Sequence, residues 1–373
     1  DCFMIKLDPA GNFIWANSFG GTGFDLGVNF AFDAANNVYV LGSFENTVDF
    51  DPNIGTSVLT SVGAYDVFLS KLDTYGNLFW VKSFGGSDAD TGGGIQIDAQ
   101  GNIYINGSFQ GSGDFNPNAG THTLSSVGAI DLFMLKLNNA GNLAWAKSMG
   151  STTYDNGADL ALDKKGTNIY LTGQFENTID FDPNAGTTNL SSAGSADIYI
   201  NKFDTAGTLI WAKNYGGTGY DRINGIKLDS IENIYVSGTF DGTSDFDPSA
   251  GVANLTSNGG MDLYVSKLDS NGVLQFAKSF GGVDFDLMKS IDIDKHGSIY
   301  TTGLFTGTVN FDPNGTFNLS AYSAADFDTY IQKLNQSTVT RVDQIKNNQN
   351  SISLFPNPNN GTLNIAQIGR AHV

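Results

Sequence analysis

The stretch KLDTYGNLFWVKSFGG, residues 71–86, decides the fold because its pattern returns at a fixed spacing along the chain. The spacing is marked by tryptophan: all four tryptophans recur at a period of about 65 residues, and a phenylalanine takes the same position one period further on. These residues are Trp15, Trp80, Trp145, Trp211 and Phe276. The interval from Trp145 to Trp211 is one residue longer than the others, since the turn at residues 163–168 is one residue longer than its counterpart at 98–102. A fixed period of this kind indicates a repeat architecture.

Each period contains four short segments rich in β-branched and aromatic residues, which predict β-strands. In the second repeat they cover residues 94–98, 102–109, 131–137 and 142–148. The first two strands are joined by a DxxGN turn, and so are the last two, which suits tight hairpins with an aspartate cap and a glycine at positive φ. Two hairpins give a four-stranded antiparallel sheet. The prediction is an all-β chain forming a β-propeller, with about 65 residues per blade, and a solenoid is the competing architecture.

Aromatic residues on the second and fourth strands should fill the space between neighbouring blades. Tyr104, Phe109 and Trp145 represent these positions in the second repeat. Their large apolar surfaces favour burial between two packed sheets.

Composition limits the classes of function. The chain has 373 residues, 19 basic against 38 acidic side chains and a formal net charge of -19, which disfavours nucleic acid and anionic lipid as partners. No apolar run long enough for a transmembrane segment and no signal peptide is present. Because the chain starts at Asp1, inside a repeat, we expect its natural N-terminus to lie further upstream. The single cysteine, Cys2, allows no intrachain disulfide and is expected to be a buried or edge residue.

The repeat resembles the bacterial seven-bladed β-propeller repeat family, also called SBBP. The resemblance is carried by KLDxxGNxxWxKSFGG at residues 71–86 and GNIYxxGSF at residues 101–109, and it covers residues 1–335. It implies a propeller and no defined activity. Four full repeats, a leading half repeat ending near Gly20 and a trailing repeat ending at Leu334 are expected, so a closed ring needs material upstream.

The tail has a different composition. Residues 336–350 are rich in Gln, Asn, Ser and Thr and predict a linker. Residues 351–367 predict a short strand, a Pro-Asn-Pro turn and the start of another strand, and an ordinary turn explains them as well. They also resemble the opening of the C-terminal sorting domain of type IX secretion, through Phe355, Pro356, Asn357, Pro358 and Gly361.

That second resemblance implies the type IX machinery as a partner and a location outside a Gram-negative cell or on its outer-membrane surface. The chain departs from the family, whose sorting domains continue for several more strands. Residues 368–373, IGRAHV, resemble a translated sequencing adapter, so His372 is expected to be artefactual and the natural chain to continue past Ala366.

Catalytic residues are scarce. The two other histidines, His122 and His296, lie at non-equivalent positions of different repeats, next to no recognisable nucleophile motif, and they are interpreted as surface residues. No zinc-ligand spacing occurs, and the Gly-Gly pairs precede no helix that could cradle a phosphate. The sequence predicts neither a catalytic site nor a bound organic cofactor.

Aspartates recur at two places in each repeat. One set follows each Gly-Gly or Gly-Ser pair, is preceded by Phe or Tyr in four of five copies, and is predicted to form a ring around one face of the propeller; it comprises Asp25, Asp90, Asp155, Asp221 and Asp286. The second set, at the first hairpin turn, comprises Asp33, Asp98, Asp163, Asp229 and Asp294. Turn capping and general acid–base chemistry are the alternatives, and identical repeats favour capping because acid–base work needs differing environments.

A third motif, DFDPN, recurs five times and offers side-chain oxygens at its first, third and fifth positions. Calcium loops use that spacing, whereas an exposed Asx-rich turn with a buried phenylalanine such as Phe50 also explains it and is the favoured interpretation. The motif lacks the bidentate glutamate of an EF-hand loop, and both interpretations stay open. The candidate Ca²⁺ ligands are Asp49, Asp51, Asn53, Asp114, Asn116, Asn118, Asp180, Asp182, Asn184, Asp245, Asp247, Ser249, Asn310, Asp312 and Asn314.

These observations predict a non-enzymatic, exported propeller that acts as a binding or adhesion module for an extracellular protein or glycan. The alternative is the propeller portion of an exported polysaccharide-acting enzyme whose catalytic part lies elsewhere. A third interpretation is a spacer in an extracellular matrix.

Overall fold

The computed structural model describes residues 1–323, 326–335, 340–341, 352–357 and 361–365. In this part of the chain every regular element is a β-strand, and no helix capable of spanning a membrane is found there. A leading hairpin pairs two strands that correspond to the third and fourth strands of a repeat: β1 (Cys2–Leu7) and β2 (Phe13–Phe19).

Five repeats follow, here called units 1 to 5, and each forms an antiparallel meander in which neighbouring strands are hydrogen-bonded in order. The first strands are β3 (Leu26–Phe32), β7 (Thr91–Ile97), β13 (Asn156–Leu162), β19 (Arg222–Leu228) and β25 (Leu287–Ile293). The second strands are β4 (Val38–Asp49), β8 (Ile103–Phe109), β14 (Asn168–Phe175), β20 (Ile234–Phe240) and β26 (Ile299–Phe305).

The third strands are β5 (Val58–Leu72), β11 (Asp131–Leu137), β17 (Asp197–Asp204), β23 (Asp262–Leu268) and β29 (Asp328–Leu334). The fourth strands are β6 (Leu78–Gly86), β12 (Leu143–Met149), β18 (Leu209–Gly217), β24 (Leu274–Phe280) and the two-residue β30 (Thr340–Arg341). β30 lies within the predicted linker and pairs with Lys333 and Leu334. Within the described residues, the fourth strand of unit 5 therefore comprises Thr340 and Arg341.

An additional hairpin, which the sequence did not predict as strands, is inserted between the second and third strands of each unit. In unit 1 it is continuous with β4 and β5. In the other units it is formed by β9 (Ser112–Asp114) with β10 (Thr123–Ser125), β15 (Thr178–Asp180) with β16 (Asn189–Ser191), β21 (Thr243–Asp245) with β22 (Asn254–Thr256), and β27 (Thr308–Asn310) with β28 (Asn318–Ser320).

The first strands of successive units pack against each other, from β3 to β7, β13, β19 and β25. In unit 2 the strand starts at Thr91, three residues before the predicted start, because Thr91, Gly92 and Gly93 also belong to it. A Cβ on Gly93 would lie 2.6 Å from the carbonyl oxygen of Gly157, so the glycines let two inner strands approach closely. Repeated four-stranded sheets packed through their first strands confirm the predicted all-β propeller fold.

The apolar cores lie between units. Tyr104 of unit 2 is buried in one cluster with Phe175 and Tyr199 of unit 3, and Trp145 packs against the same cluster. Phe109 is buried with Phe84, which belongs to unit 1. The prediction that aromatic residues fill the space between blades is confirmed.

The C-terminal tail contains one more hairpin, formed by β31 (Ile352–Asn357) and β32 (Gly361–Ile365). Two strands were predicted here. Phe355, Pro356 and Asn357 belong to β31 and Gly361 begins β32. Pro358 and the adapter-like residues 368–373 lie outside the described residues.

Candidate functional site

Antiparallel topology places two kinds of connection at opposite ends of the sheets. The DxxGN turns lie at one end. The other end carries the loops that join the fourth strand of one repeat to the first strand of the next. The inserted hairpins also start from this end, but their turns reach back to the DxxGN turns, as Asn118 does to Gly141. We call these loops, at residues 20–25, 87–90, 150–155, 218–221 and 281–286, the ring loops, and this end of the sheets the ring face.

The ring aspartates are buried and tie neighbouring units together. Asp90 is fully buried; its Oδ2 accepts the N–H of Gly86 at 2.7 Å and its Oδ1 the N–H of Gln110 at 3.3 Å. Gly86 ends β6 of unit 1, whereas Gln110 follows β8 of unit 2. Asp25, Asp155, Asp221 and Asp286 accept the equivalent N–H groups of Gly21, Ser151, Gly217 and Gly282. These carboxyl groups cap loops at the junctions.

A second aspartate, which the sequence reasoning missed, lies beside each of the last four ring aspartates. It opens the third strand of units 2 to 4, as Asp131, Asp197 and Asp262, and lies within the longer third strand of unit 1, as Asp66. It is at most 2% exposed. Its Oδ2 accepts a backbone N–H, in the first case from Val62 at 3.0 Å. Its Oδ1 is buried without a hydrogen-bond partner in all four copies. Recurrence of this aspartate at the tryptophan period was the signal available in the sequence.

The two carboxyl groups of a pair converge on the first glycine of the Gly-Gly motif. A Cβ on Gly85 would lie 2.5 Å from Asp90 Oδ2 and 2.9 Å from Asp66 Oδ1. At Gly216 the corresponding distances are 2.5 Å to Asp197 Oδ1 and 2.8 Å to Asp221 Oδ2. Glycine is required here because any side chain would displace the carboxyl pair.

Burial raises the pKa of these aspartates. The pKa of Asp90, Asp221 and Asp286 rises to about 7, mainly through desolvation, and the neighbouring carboxylate of the pair adds to the rise. Desolvation also raises the pKa of Asp155 and Asp262 to about 6. These five aspartates therefore occupy sites that disfavour the charged form of the carboxyl group.

Exposed aromatic side chains precede the ring aspartates. Phe24 is 63% exposed although its ring lies edge-on to Tyr65 at 6.4 Å, and Tyr154 is 54% and Phe285 58% exposed. More than half of each side chain therefore faces solvent. Tyr220 is half-buried; the guanidinium of Arg222 lies 4.6 Å from its ring centroid, and its hydroxyl accepts a hydrogen bond from the Gln174 amide at 2.9 Å. The ring face thus presents apolar rings beside hydrogen-bonding groups.

The DFDPN motif forms the turn of each inserted hairpin. The first side chain accepts two backbone N–H groups: Asp114 Oδ1 accepts those of Asn116 at 3.0 Å and His122 at 2.8 Å. The third side chain accepts the N–H of the fifth residue, as Asn116 does from Asn118 at 3.2 Å. The same bonds recur at Asp49 and Asp51, Asp180 and Asp182, Asp245 and Asp247, and Asn310 and Asp312.

The fifth position of the DFDPN turn contacts the preceding repeat and the last hairpin turn of its own repeat. Lys82 of unit 1 donates to Asn118 Oδ1 at 2.6 Å, and Asn118 donates to the carbonyl oxygen of Gly141 at 2.9 Å. Asn184 accepts from Lys147, and Asn314 from Lys278. In these three turns, a lysine ammonium group therefore contacts the side-chain oxygen of the fifth residue, which is one of the three candidate Ca²⁺ ligands. Within the described residues, no three His, Cys, Asp or Glu side chains are grouped to hold a metal ion.

The DxxGN turns at the opposite end are capped as the sequence predicts. Asp98 Oδ1 accepts the N–H groups of Gln100 and Asn102, and Oδ2 accepts the Tyr104 hydroxyl at 3.0 Å. A shallow pocket at this end is lined by Asn37, Lys71, Phe79 and Trp80. Lys71 already forms an ion pair with Asp33 at 3.3 Å and lies 4.8 Å from the Tyr39 ring centroid. The Lys71 side chain is therefore held by contacts that stabilise the fold.

The histidines and the cysteine lie at separate places in the fold. His122 is half-buried, and its Nε2 lies 3.1 Å from the carbonyl oxygen of Ala146, whereas His296 is exposed in a turn. Cys2 is buried on β1, and burial raises the pKa of its thiol. The two histidines lie in different units and form no joint site.

Comparison with known proteins indicates the general type of repeat protein. No family model matches the chain. Over 269 residues, 63% of the chain, it is 24% identical to the uncharacterized WD repeat-containing protein L264 of Acanthamoeba polyphaga mimivirus. The chain is a propeller-type repeat protein. Over 171 residues, 45% of its length, the propeller is also 26% identical to the regulatory protein FlaEY of Caulobacter vibrioides. The matched segments span only 19% and 17% of those relatives.

Proposed function

We propose that the propeller is a binding module whose ring face holds a neutral glycan, and that it works at the surface of a Gram-negative cell. The observation that carries the proposal is the exposure of Phe24, Tyr154 and Phe285 at equivalent positions of the ring loops. The repeat also exposes aromatic residues elsewhere, such as Phe13 and Tyr75, but these three occupy one equivalent position on one face. Exposed rings that recur on one face are typical of binding surfaces.

The chemistry of the ring face favours a sugar. Flat apolar rings offer stacking surfaces, and Gln174 and Arg222 offer hydrogen-bond donors to hydroxyl groups. The net charge of -19 disfavours an anionic polysaccharide, so a neutral one is preferred. The buried ring aspartates fix each loop at both ends, which holds the aromatic residue in place before a ligand binds.

Affinity electrophoresis in gels that each contain one soluble neutral polysaccharide tests this function. We expect retardation in at least one gel, lost in the triple variant Phe24→Ala, Tyr154→Ala, Phe285→Ala. A matched variant with exposed aromatics changed away from the ring loops, Phe13→Ala, Tyr75→Ala, Phe79→Ala, should remain retarded. Unchanged migration of the wild-type protein in all gels, or full retardation of the ring-face variant, contradicts the proposal.

The repeat type and the export route belong to the same proposal. The strings KLDxxGNxxWxKSFGG and GNIYxxGSF support an SBBP-type repeat, and the Phe-Pro-Asn-Pro pattern in the tail supports type IX export. In a host that carries this machinery, deleting residues 351–373 should move the protein from the cell surface or medium to the periplasm. Surface location of the truncated protein would argue against this route.

A further inference from the structure

Four unit junctions bury two carboxyl groups next to each other. The pairs are Asp66 with Asp90, Asp131 with Asp155, Asp197 with Asp221 and Asp262 with Asp286, and each of these residues is at most 2% exposed. Two ionised carboxylates in such a site would repel each other in a poorly hydrated environment.

The hydrogen bonds of each pair leave one oxygen without a donor. At the first junction, Asp66 Oδ2 accepts from Val62, and Asp90 accepts from Gly86 and Gln110. Asp66 Oδ1 has no partner, although it lies beside the Gly85 position that Asp90 Oδ2 also approaches. A buried acceptor without a donor is costly, and a carboxylic acid O–H on the other member of the pair would supply one.

The groups that face the pairs do not compensate their charge. The nearby titratable side chains that act on the pairs, or are acted on by them, are carboxylates and tyrosines: Asp88, Asp241, Asp284, Tyr199, Tyr215, Tyr264 and Tyr330. Neutral donors complete the surroundings, namely Ser151, Ser244, Asn214 and Asn258. Among the described residues, no lysine, arginine or histidine forms a salt bridge with any member of the four pairs.

We propose that each of the four aspartate pairs holds one proton between its two carboxyl groups, which makes the unit junctions a pH-sensitive element of the fold. The proton supplies the missing donor and removes one of two buried charges. Its loss leaves two carboxylates in contact at the point where the ring loop, the third strand and the next unit meet. This inference is independent of the glycan proposed above.

The sign of the pH dependence follows from linkage. Burial raises the pKa of Asp90, Asp221 and Asp286 to about 7, whereas an unfolded chain titrates aspartate near about 3.9. Between these values the folded protein binds more protons than the unfolded chain. The resulting stabilisation is fully present below about pH 4 and is lost as pH rises through about 7. At intermediate pH, unfolding should release about one proton per pair, or about four in total.

Urea unfolding of the full chain at pH values from about 5 to 8.5 tests the proposal. We expect the wild-type midpoint to fall as pH rises. In the quadruple variant Asp66→Asn, Asp131→Asn, Asp197→Asn, Asp262→Asn this fall should be much smaller than in the wild-type protein, because only desolvation still raises the pKa of the ring aspartates. The retained amide oxygen still accepts from groups such as the Val62 N–H, and the amide nitrogen donates to the ring aspartate at every pH.

Asp328→Asn provides the matched control. Asp328 opens the third strand of unit 5 and accepts the N–H of Tyr322 at 2.8 Å, but it has no ring aspartate beside it within the described residues. This variant should keep the wild-type pH dependence. A flat wild-type profile, or an undiminished fall in the quadruple variant, overturns the proposal.

Infrared spectroscopy provides a second measurement that does not require the quadruple variant to fold. The C=O stretching band of a protonated carboxylic acid should be present in the wild-type protein at about pH 6 and lost by about pH 8.5. The band should weaken in single variants such as Asp197→Asn. Absence of the band from the wild-type protein at pH 6 would refute the shared protons.

Discussion

Phe115 packs on Phe133 with ring centroids 4.9 Å apart, which joins the DFDPN turn of unit 2 to the third strand of the same unit. Phe109, at the end of the second strand, completes the group at 5.2 Å from Phe115. The arrangement recurs around Phe50, Phe181, Phe246 and Phe311, with distances of 4.8 Å to the third-strand ring and 5.3 to 5.4 Å to the second-strand ring. The motif is a packed part of every blade.

The first prediction concerns this aromatic group. Phe115→Ala should lower the free energy of unfolding by about 3–5 kcal/mol, because it removes a fully buried ring and leaves a cavity. Urea denaturation measures the loss. Tyr75→Ala, at a side chain 78% exposed, should change stability by less than about 0.5 kcal/mol. Similar values for the two variants would show that the turn is not part of the core.

The second prediction separates packing between units from backbone strain. Gly141 has a φ of 73°, and a Cβ there would clash with Lys82 Cε and lie 3.4 Å from Trp80 Cη2 of the preceding unit. Gly242 has a φ of 71° with nothing within 4 Å of such a Cβ. Both alanine variants carry the strain of positive φ, about 1–2 kcal/mol, but only Gly141→Ala also displaces the Lys82 side chain, which donates to Asn118.

Thermal and urea unfolding should therefore show a larger loss for Gly141→Ala than for Gly242→Ala, by about 1–3 kcal/mol. Equal losses would mean that the contact between the tryptophan strand and the next turn adds no stability.

The third prediction concerns the acid side of the stability profile. Partial burial acts to raise the pKa of Asp229, but hydrogen bonds from the Asn233 side chain, the Asn233 N–H and the Ile231 N–H outweigh it and lower the pKa. A lowered pKa gives stability that is present above about pH 4 and is lost as pH falls through the folded value. The free energy of unfolding should therefore decrease as pH falls below about 4. The buried aspartate pairs have the opposite effect, because their contribution to stability decreases as pH rises.

Asp229→Asn should reduce this dependence below about pH 4 while keeping the acceptor oxygen for the turn. Asp229→Ala should in addition cost about 1–2 kcal/mol at neutral pH, because it removes the acceptor of four hydrogen bonds. Acid titrations followed by circular dichroism distinguish the two variants. A steeper acid limb in Asp229→Asn would contradict the assignment.

The fourth prediction addresses calcium at the DFDPN turns. We expect the same unfolding midpoint in excess Ca²⁺ and in chelator, because Lys82 already places a positive charge on Asn118 Oδ1. Asp114→Ala should lower the midpoint equally in both solutions, since it removes the cap of Asn116 and His122. A calcium-dependent rise, about 2.7 kcal/mol at 100 times the dissociation constant, that disappears in Asp114→Ala would establish the metal loop instead.

The repeat and the hairpin turns could be predicted from the sequence because they depend on residues close together in the chain. The tryptophan period gave the repeat, and Asp98 and its equivalents gave the hairpin turns, because an aspartate cap and a glycine at positive φ act within a few residues. The inserted hairpins were missed because strands of three residues, such as Ser112–Asp114, carry too little pattern to be distinguished from a loop.

The sequence by itself determined the period, the all-β class and the hairpin turns, since strand pattern and turn capping are short-range properties. Only the tertiary structure decided which repeated residues are buried and which face solvent. Asp66 lies within the third strand of unit 1 and Asp90 ends the ring loop before unit 2, yet the junction brings both to one glycine. Phe24 and Phe50 are both repeated aromatics, but one is 63% exposed and the other 1%. Burial depends on the packing of neighbouring blades, which no local pattern encodes.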